Sequence, residues 1–138
     1  MEDEGLEDRQ FTDDEVLVAN QRLLNSIASG SYDEYQVLCA KDMTCFEPET
    51  KGMLVEGLDF HKYYFDLGNL YSQPVLQNNI TMSQPHVRWI GGSCAILSYT
   101  RLDQVLQKDG IPLTKTTSET RVWEVRENKL VHVHFHRS

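Results

Sequence analysis

Apolar residues first recur at helical spacing at Val16, Ala19, Leu23 and Ile27. They follow "TDDE", in which Thr12 and Glu15 have the residue types and separation of a capping box, and Gly30 predicts where this helix ends. "SYDE" repeats the capping pattern from Ser31 to Glu34 and opens a short second helix, which gives way near Lys41-Asp42 to the strand-like "MTCF". A turn is expected at Glu47-Pro48-Glu49. Beyond Gly57, "LDFHKYYFDL" predicts a third helix with Phe60, Tyr64 and Leu67 on one stripe and His61 and Phe65 on another, which implies cover on more than one side. From Pro74 the period drops to two and predicts the strands "VLQNNITM", "HVRWI", "SCAILSYTRLDQVLQ", "TKTTSETRVWEVR" and "LVHVHFHR". Turns at Gly91-Gly92, Asp109-Gly110 and Glu127-Asn128 separate the last four. Helices early and strands late make the class α+β.

Alternation along the strands raises a question of charge. At the end of the chain Val131, Val133, Phe135 and Arg137 point one way, and His132, His134 and His136 the other. An arginine on an apolar face is costly unless paired. The strand from Ser93 likewise sets Ala95, Leu97, Tyr99, Arg101 and Asp103 together, and the next sets Glu119, Arg121, Trp123 and Val125 together. A three-residue loop at Glu127-Asn128 with Asn128 left-handed would put Trp123 beside Val133 and Phe135, whereas a two-residue turn would put it among the histidines. Hydrophobic matching favours the first register. A similar odd loop centred near Ile111 puts Arg101 and Arg121 on the same side, so that three arginines converge on one concave, mainly apolar face. They could be separate structural ion pairs with Glu119 and Asp103. Two acids cannot neutralise three guanidinium groups, however, so a bound carboxylate or phosphate is expected, and loss of one arginine should leave the fold intact.

Composition narrows the function classes. The 138 residues are 40% hydrophobic and 25% charged, enough for one core and too few for two. Net charge is −8, carried largely by "MEDEGLEDRQ" and "TDDE", which divides the chain into an acidic flexible tail (1–10) and one folded domain (11–138). Without a cluster of Lys and Arg, a nucleic-acid surface is not expected. No apolar run approaches a membrane span and no signal peptide opens the chain, so the expected location is cytoplasmic, with no membrane partner. Cys39, Cys45 and Cys94 have no CxxC spacing and an odd count, which points to reduced thiols rather than a disulfide framework or a metal site.

"TCFEPETKGMLVEGLDFHKYYFD", "YTRLDQ" and "TRVWEVRENKLVHVHFHRS" resemble the association, or hub, domain of calcium/calmodulin-dependent protein kinase II, from about the first helix to Ser138. The resemblance implies a cone-like fold shared with nuclear transport factor 2, in which the long N-terminal helix lies in a strongly curved antiparallel sheet. It also implies self-assembly into a two-tiered, even-numbered ring, a dodecamer or tetradecamer, that holds and organises kinase subunits carrying the same domain in calmodulin-dependent signalling. Arg101, Arg121 and Arg137 match the family's inward pocket arginines and His61 its pocket histidine, with Tyr64 on the adjoining helix. Tyr99 and Glu119 complete the candidate ligand-binding pocket, and a small carboxylate or an acidic peptide is the expected ligand. "GNLYSQP" is shorter than the family's usual loop and has Leu70-Tyr71 where a tryptophan is common, which argues against an aromatic lid. Ser118 stands where the family often has a second acid.

The remaining face carries His132, His134 and His136 with Thr114, Thr116, Ser118, Thr120 and Val122. Alternate strand positions lie about 6.8 Å apart, too far for a shared tetrahedral ion with bonds of about 2.0–2.1 Å. No metal or cofactor is expected. Hydroxyl and imidazole groups with few Lys or Glu fit an oligomer interface better than open solvent, and His132, His134, His136, Thr116 and Val122 are its candidate residues. No glycine-rich loop, "HRD" or "DFG" occurs, so the chain is not expected to be a kinase. The alternative is a small-molecule isomerase or hydrolase of the same cone fold, using His61, Tyr64, Tyr99 and Glu119 for acid–base chemistry.

Overall fold

Residues 8–71 and 75–138 are described in the computed structural model, the side chains of residues 68–77 excepted. Three helices precede and interleave with a six-stranded curved sheet. In chain order the elements are α1 (Asp13–Ser29), α2 (Tyr32–Gln36), β1 (Cys39–Phe46), a 3-10 turn (Pro48–Thr50), β2 (Val55–Glu56), α3 (Asp59–Tyr71), β3 (Val75–Ile90), β4 (Cys94–Gln107), β5 (Pro112–Arg126) and β6 (Lys129–Arg137). Strand order is β2-β1-β6-β5-β4-β3. The pairs are antiparallel except β1–β6, which is parallel. The expected wholly antiparallel sheet is corrected in this respect: α3 and the later strands intervene between β1 and β6, leaving room for the crossover that parallel neighbours need. No helix among the described residues is long and apolar enough to cross a membrane.

The capping residues set the helix starts. The Glu15 N–H donates to Thr12 Oγ1 at 3.2 Å, and the Thr12 N–H donates to Glu15 Oε1 at 3.0 Å. Gly30, at φ 70°, closes α1 in the left-handed conformation open to glycine. Ser31 Oγ accepts from the Glu34 N–H at 3.3 Å and caps α2 without the reciprocal half of the expected box, because the Glu34 carboxylate pairs with Arg22. This second helix is only one turn long and β1 begins at Cys39, earlier than the expected Lys41-Asp42, because Cys39 already pairs with β6.

Helix α1 lies across the sheet with Val16, Leu23 and Leu24 fully buried among Ala95, Leu97 and Trp123. Asn20 is the polar member of that helical face. Its Nδ2 donates to the Tyr99 hydroxyl and its Oδ1 accepts from Trp123 Nε1, both at 3.0 Å, so no polar group of the amide is stranded in the core. On α3 the buried stripe is His61 with Phe65 packed beneath it, while Phe60 and Tyr63 are exposed on the opposite side. The second side of α3 is therefore uncovered within a single chain.

Two sheet features depart from expectation. "VLQNNITM" and "HVRWI" form one strand, β3, with a register shift between Ser83 and His86 and Gln84 at φ 53°. Pro85, which lacks an N–H, is accommodated there because β3 is an edge strand and the bulge interrupts the ladder. The β5–β6 connection is a two-residue turn, Glu127-Asn128, not the expected three-residue loop. Both residues have positive φ (51° and 60°), as a type I′ hairpin requires. Trp123 consequently pairs with His132, and a bulge at Val133 then shifts the register so that Val122 pairs with His134, Arg121 with Phe135 and Glu119 with Arg137. The segment entering α1 is fastened to this turn: the Asn128 N–H donates to Asp8 and the Arg9 N–H to Asn128 Oδ1, at 2.5 and 2.7 Å.

Candidate functional site

Neighbouring strands bring the three arginines together. Arg101 on β4 lies opposite Thr117 on β5, Arg121 on β5 lies opposite Leu97 on β4 and Phe135 on β6, and Arg137 lies opposite Glu119. All three line one cavity of about 240 Å³, with His61 and Tyr64 of α3 on its wall. Tyr99 and Glu119, also expected in the pocket, sit behind the wall as the groups that hold the arginines. The Leu70 and Tyr71 side chains, on which the lid expectation rests, lie outside the described residues.

Glu119 is the hub of this buried network. Its side chain is 0% exposed and accepts from Arg101 Nη1 at 2.8 Å, from Arg121 Nε at 3.0 Å and from the Tyr99 hydroxyl. Burial opposes its charge, but Arg121 and Arg101 outweigh burial and hold its carboxyl down to about 2. Burial pushes the Tyr99 hydroxyl up to about 12, so Tyr99 is a neutral donor. Arg101 is gripped on its other edge by Asp103, at 2.6 and 3.0 Å. Arg121 stacks over the Phe135 ring at 4.2 Å and donates through Nη1 to His132 Nε2 at 3.3 Å.

Two acids missed in the sequence complete the charge balance. Glu47 and Glu49 line the cavity, and Arg137 contacts Glu49 directly, with Glu47 Oε1 at 3.9 Å. Four carboxylates therefore face three guanidinium groups, and the expected shortage of negative charge is overturned. The signal was present in the parallel β1–β6 register, which pairs Phe46 with His136 and so sets Glu47 abreast of Arg137, but that pairing is not local.

His132 belongs to the core and not to the outward face. It is 0% exposed, packed against Trp123 and Phe135, with Nδ1 at 3.5 Å from Cys39 Sγ. Because Arg121 can only donate, Nε2 is the acceptor and Nδ1 carries the proton. Burial and the Arg121 charge hold its pKa well below the ordinary imidazole range. His134 and His136 do face outward: His134 Nδ1 lies 2.7 Å from Thr44 Oγ1, and Phe46 packs against both rings. Thr116 is exposed and Val122 half-buried on that same outward face.

One buried thiol–imidazole pair has catalytic spacing without the ionisation to match. Cys45 Sγ lies 3.6 Å from His61 Nε2, the spacing of a nucleophile and its base. Burial raises the thiol to about 12 and, with Arg121, lowers the imidazole to about 4, so neutral pH populates neither thiolate nor imidazolium.

The sequence of the calcium/calmodulin-dependent protein kinase II association domain matches residues 12–138. The chain is 43% identical over 124 residues to the Drosophila melanogaster calcium/calmodulin-dependent protein kinase type II alpha chain, covering 90% of this chain and 23% of that protein. It thus spans about a quarter of the length of the curated relatives it matches, 23% and 25% in two cases. Among solved structures, the hub homology domain of that kinase from Chlamydomonas reinhardtii is 51% identical, with a TM-score of 0.80 over 91% of this chain and 95% of that one. A nuclear transport factor 2-like protein from Salmonella enterica, 18% identical with a TM-score of 0.71 over 91% of this chain and 88% of its own, shares the fold alone. With the motifs, the curved sheet and the matches agreeing over almost the whole folded part, the chain belongs to the calcium/calmodulin-dependent protein kinase II association-domain family.

Proposed function

We propose that the chain is an oligomerisation hub. Copies self-assemble into a two-tiered, even-numbered ring that holds kinase subunits carrying the same domain, in the cytoplasm, and the arginine-lined pocket takes a small carboxylate or an acidic peptide side chain. The observation that carries the assembly reading is the outward sheet face. Ile96, Leu102, Val122 and His134 are half-buried there among Thr116, Ser118 and Thr120, with few charges. Elsewhere Val18 (69% exposed), Val37 (66%), Met53 (68%) and Ile111 (60%) also lack cover within one chain. Apolar surface in such amount is a signature of association.

Multi-angle light scattering at micromolar concentration is expected to return a mass many times that of one chain, and Val122→Glu, which puts a charge on the sheet face, to lower it. A monomer or simple dimer for the unmodified protein would defeat the hub reading.

Acid is expected to loosen the same assembly. Burial and His136 disfavour the His134 cation, and no carboxylate pairs with either ring among the described residues. Protonation of His134, held below the ordinary imidazole range by burial, therefore puts a cation into the contact in acid. An assembly mass constant from pH 7.5 to pH 5 would remove these histidines from the interface.

A further inference from the structure

The three pocket arginines are not held alike. Arg101 and Arg121 are 9% and 1% exposed and are fixed by Glu119, which is fully buried. Arg137 is 17% exposed, and its direct carboxylate contact is Glu49, 47% exposed, while Glu47 and Glu119 stand off at 3.9 Å. Glu49 is thus the one acid of the cavity that has both an arginine and substantial access to water among the described residues. Burial opposes its charge, but the Arg137 hydrogen bond, the backbone N–H of Glu49 and the charges of Arg137 and Arg101 together outweigh burial and keep its carboxyl below the usual range, so Glu49 is an anion at neutral pH.

Its mounting differs too. Glu119 sits in the middle of a strand ladder, paired on both sides. Glu49 sits on the one-turn 3-10 segment Pro48–Thr50, followed by Lys51 and Gly52, both at positive φ (54° and 79°), and then by exposed Met53 and Leu54. Thr50, buried and within hydrogen-bond reach of the Glu47 and Met53 carbonyls, holds the turn itself, so Glu49 can leave Arg137 by turning its half-exposed side chain. Arg121, on the same cavity, uses Nε and Nη1 for Tyr99, Glu119 and His132, and its Nη2 has no hydrogen-bond partner among the described residues. An incoming carboxylate would therefore find part of Arg121 open and Arg137 taken.

We propose that Glu49 is a built-in competitor for the pocket: its carboxylate occupies the Arg137 end of the anion site, and a carboxylate ligand binds by displacing it from Arg137 and bridging to Arg121. The inference rests on the pocket reading of the preceding subsection and adds its regulation. Pocket affinity is set by the strength of an internal ion pair as well as by the arginines, and dianions that reach both Arg137 and Arg121 are preferred over monoanions that can satisfy only one.

Calorimetric titration of acetate and succinate into the assembled protein tests this. Glu49→Gln and Glu49→Ala are each expected to bind succinate about tenfold more tightly than the unmodified protein. Arg137→Ala should weaken binding, and Glu49→Gln in the Arg137→Ala background should restore nothing, since the competitor acts only through Arg137. Glu56→Gln, which removes an exposed acid from β2 outside the cavity, should leave the affinity unchanged and thereby exclude a mere net-charge effect. Equal affinity for the unmodified protein and both Glu49 variants, with Arg137→Ala weakened, would overturn the competitor and keep the pocket. Tighter binding in Glu56→Gln to the same extent as in Glu49→Gln would also overturn it. No succinate binding by any variant would overturn the pocket reading and the competitor with it.

Discussion

Glu119→Ala is expected to destabilise the fold by about 3–5 kcal/mol, the usual cost of removing one partner of a buried ion pair. The loss would be read as a lower urea midpoint at fixed protein concentration, since assembly contributes to apparent stability. Its carboxylate joins Arg101, Arg121 and the Tyr99 hydroxyl, and the side chain has no exposure to water. Without it, the fully buried Arg121 would keep only Tyr99, His132 and the Phe135 ring, none of them an anion. Arg121→Ala should cost a comparable amount, because it deletes that stacking and leaves His132 Nε2 without its donor. This reverses the expectation that an arginine can be lost freely, which assumed three cations repelling one another. Asp103→Ala is the contrast: 31% exposed and bound to Arg101 alone, it should cost about 1 kcal/mol or less. A loss below about 1 kcal/mol for Glu119→Ala would show that water enters the site and replaces the pair.

Stability should also fall steeply with acid, well before the carboxylates titrate. Burial and the Arg121 charge lower His61 to about 4, and the same two causes hold His132 well below its ordinary value. An unfolded chain takes up these protons near pH 6.5; the folded chain refuses them. The stabilisation is therefore complete above about pH 6.5 and is lost as pH falls towards the folded values, by about 3 kcal/mol for His61 alone by pH 4. Glu119, held at about 2, adds its own loss only at lower pH, from the unfolded value near 4 downward. Urea midpoints at pH 7.5 and pH 5 would reveal the effect, and His61→Phe, which keeps the aromatic contacts with Tyr35 and Phe135, should reduce it to the part that His132 carries. A profile flat over that range in the unmodified protein would mean that both imidazoles find compensation when charged.

How far the sequence could be read depended on how local each feature is. Thr12, Glu15, Ser31 and Gly30 act on neighbours three or four residues away, and both helix starts were legible from them. The face shared by Arg101 and Arg121 was legible as well, because parity is kept throughout two long alternating runs, but the turn is centred on Asp109 and not near Ile111, so Arg101 lies opposite Thr117 and Arg121 opposite Leu97. His132 was assigned to the wrong side because a three-residue loop, and a two-residue turn followed by a bulge, deliver Phe135 and Arg137 to the same face. Hydrophobic matching at the strand end could not separate them. Glu47 and Glu49 were out of reach for another reason: they meet Arg137 across nearly ninety residues through a parallel pair. That contact is also what changes the pocket from a surplus of cations into a balanced set.

The bulge at Val133 makes the last strand behave like a reading frame. Residues before it follow the parity set by the Glu127-Asn128 turn, and residues after it follow the opposite one. Whether Arg137 meets the cavity is thus decided by a count of residues and not by any property of arginine. Closing the bulge without removing a residue would act as a frameshift, exchanging Phe135 and Arg137 for His134 and His136 while leaving every amino acid in place. Deleting Val133 at the same time would suppress it, much as a second indel restores a gene, because Val133 is the residue without a partner on β5. Relatives aligned without gaps through this strand can therefore be trusted to share the pocket only where the turn length agrees as well.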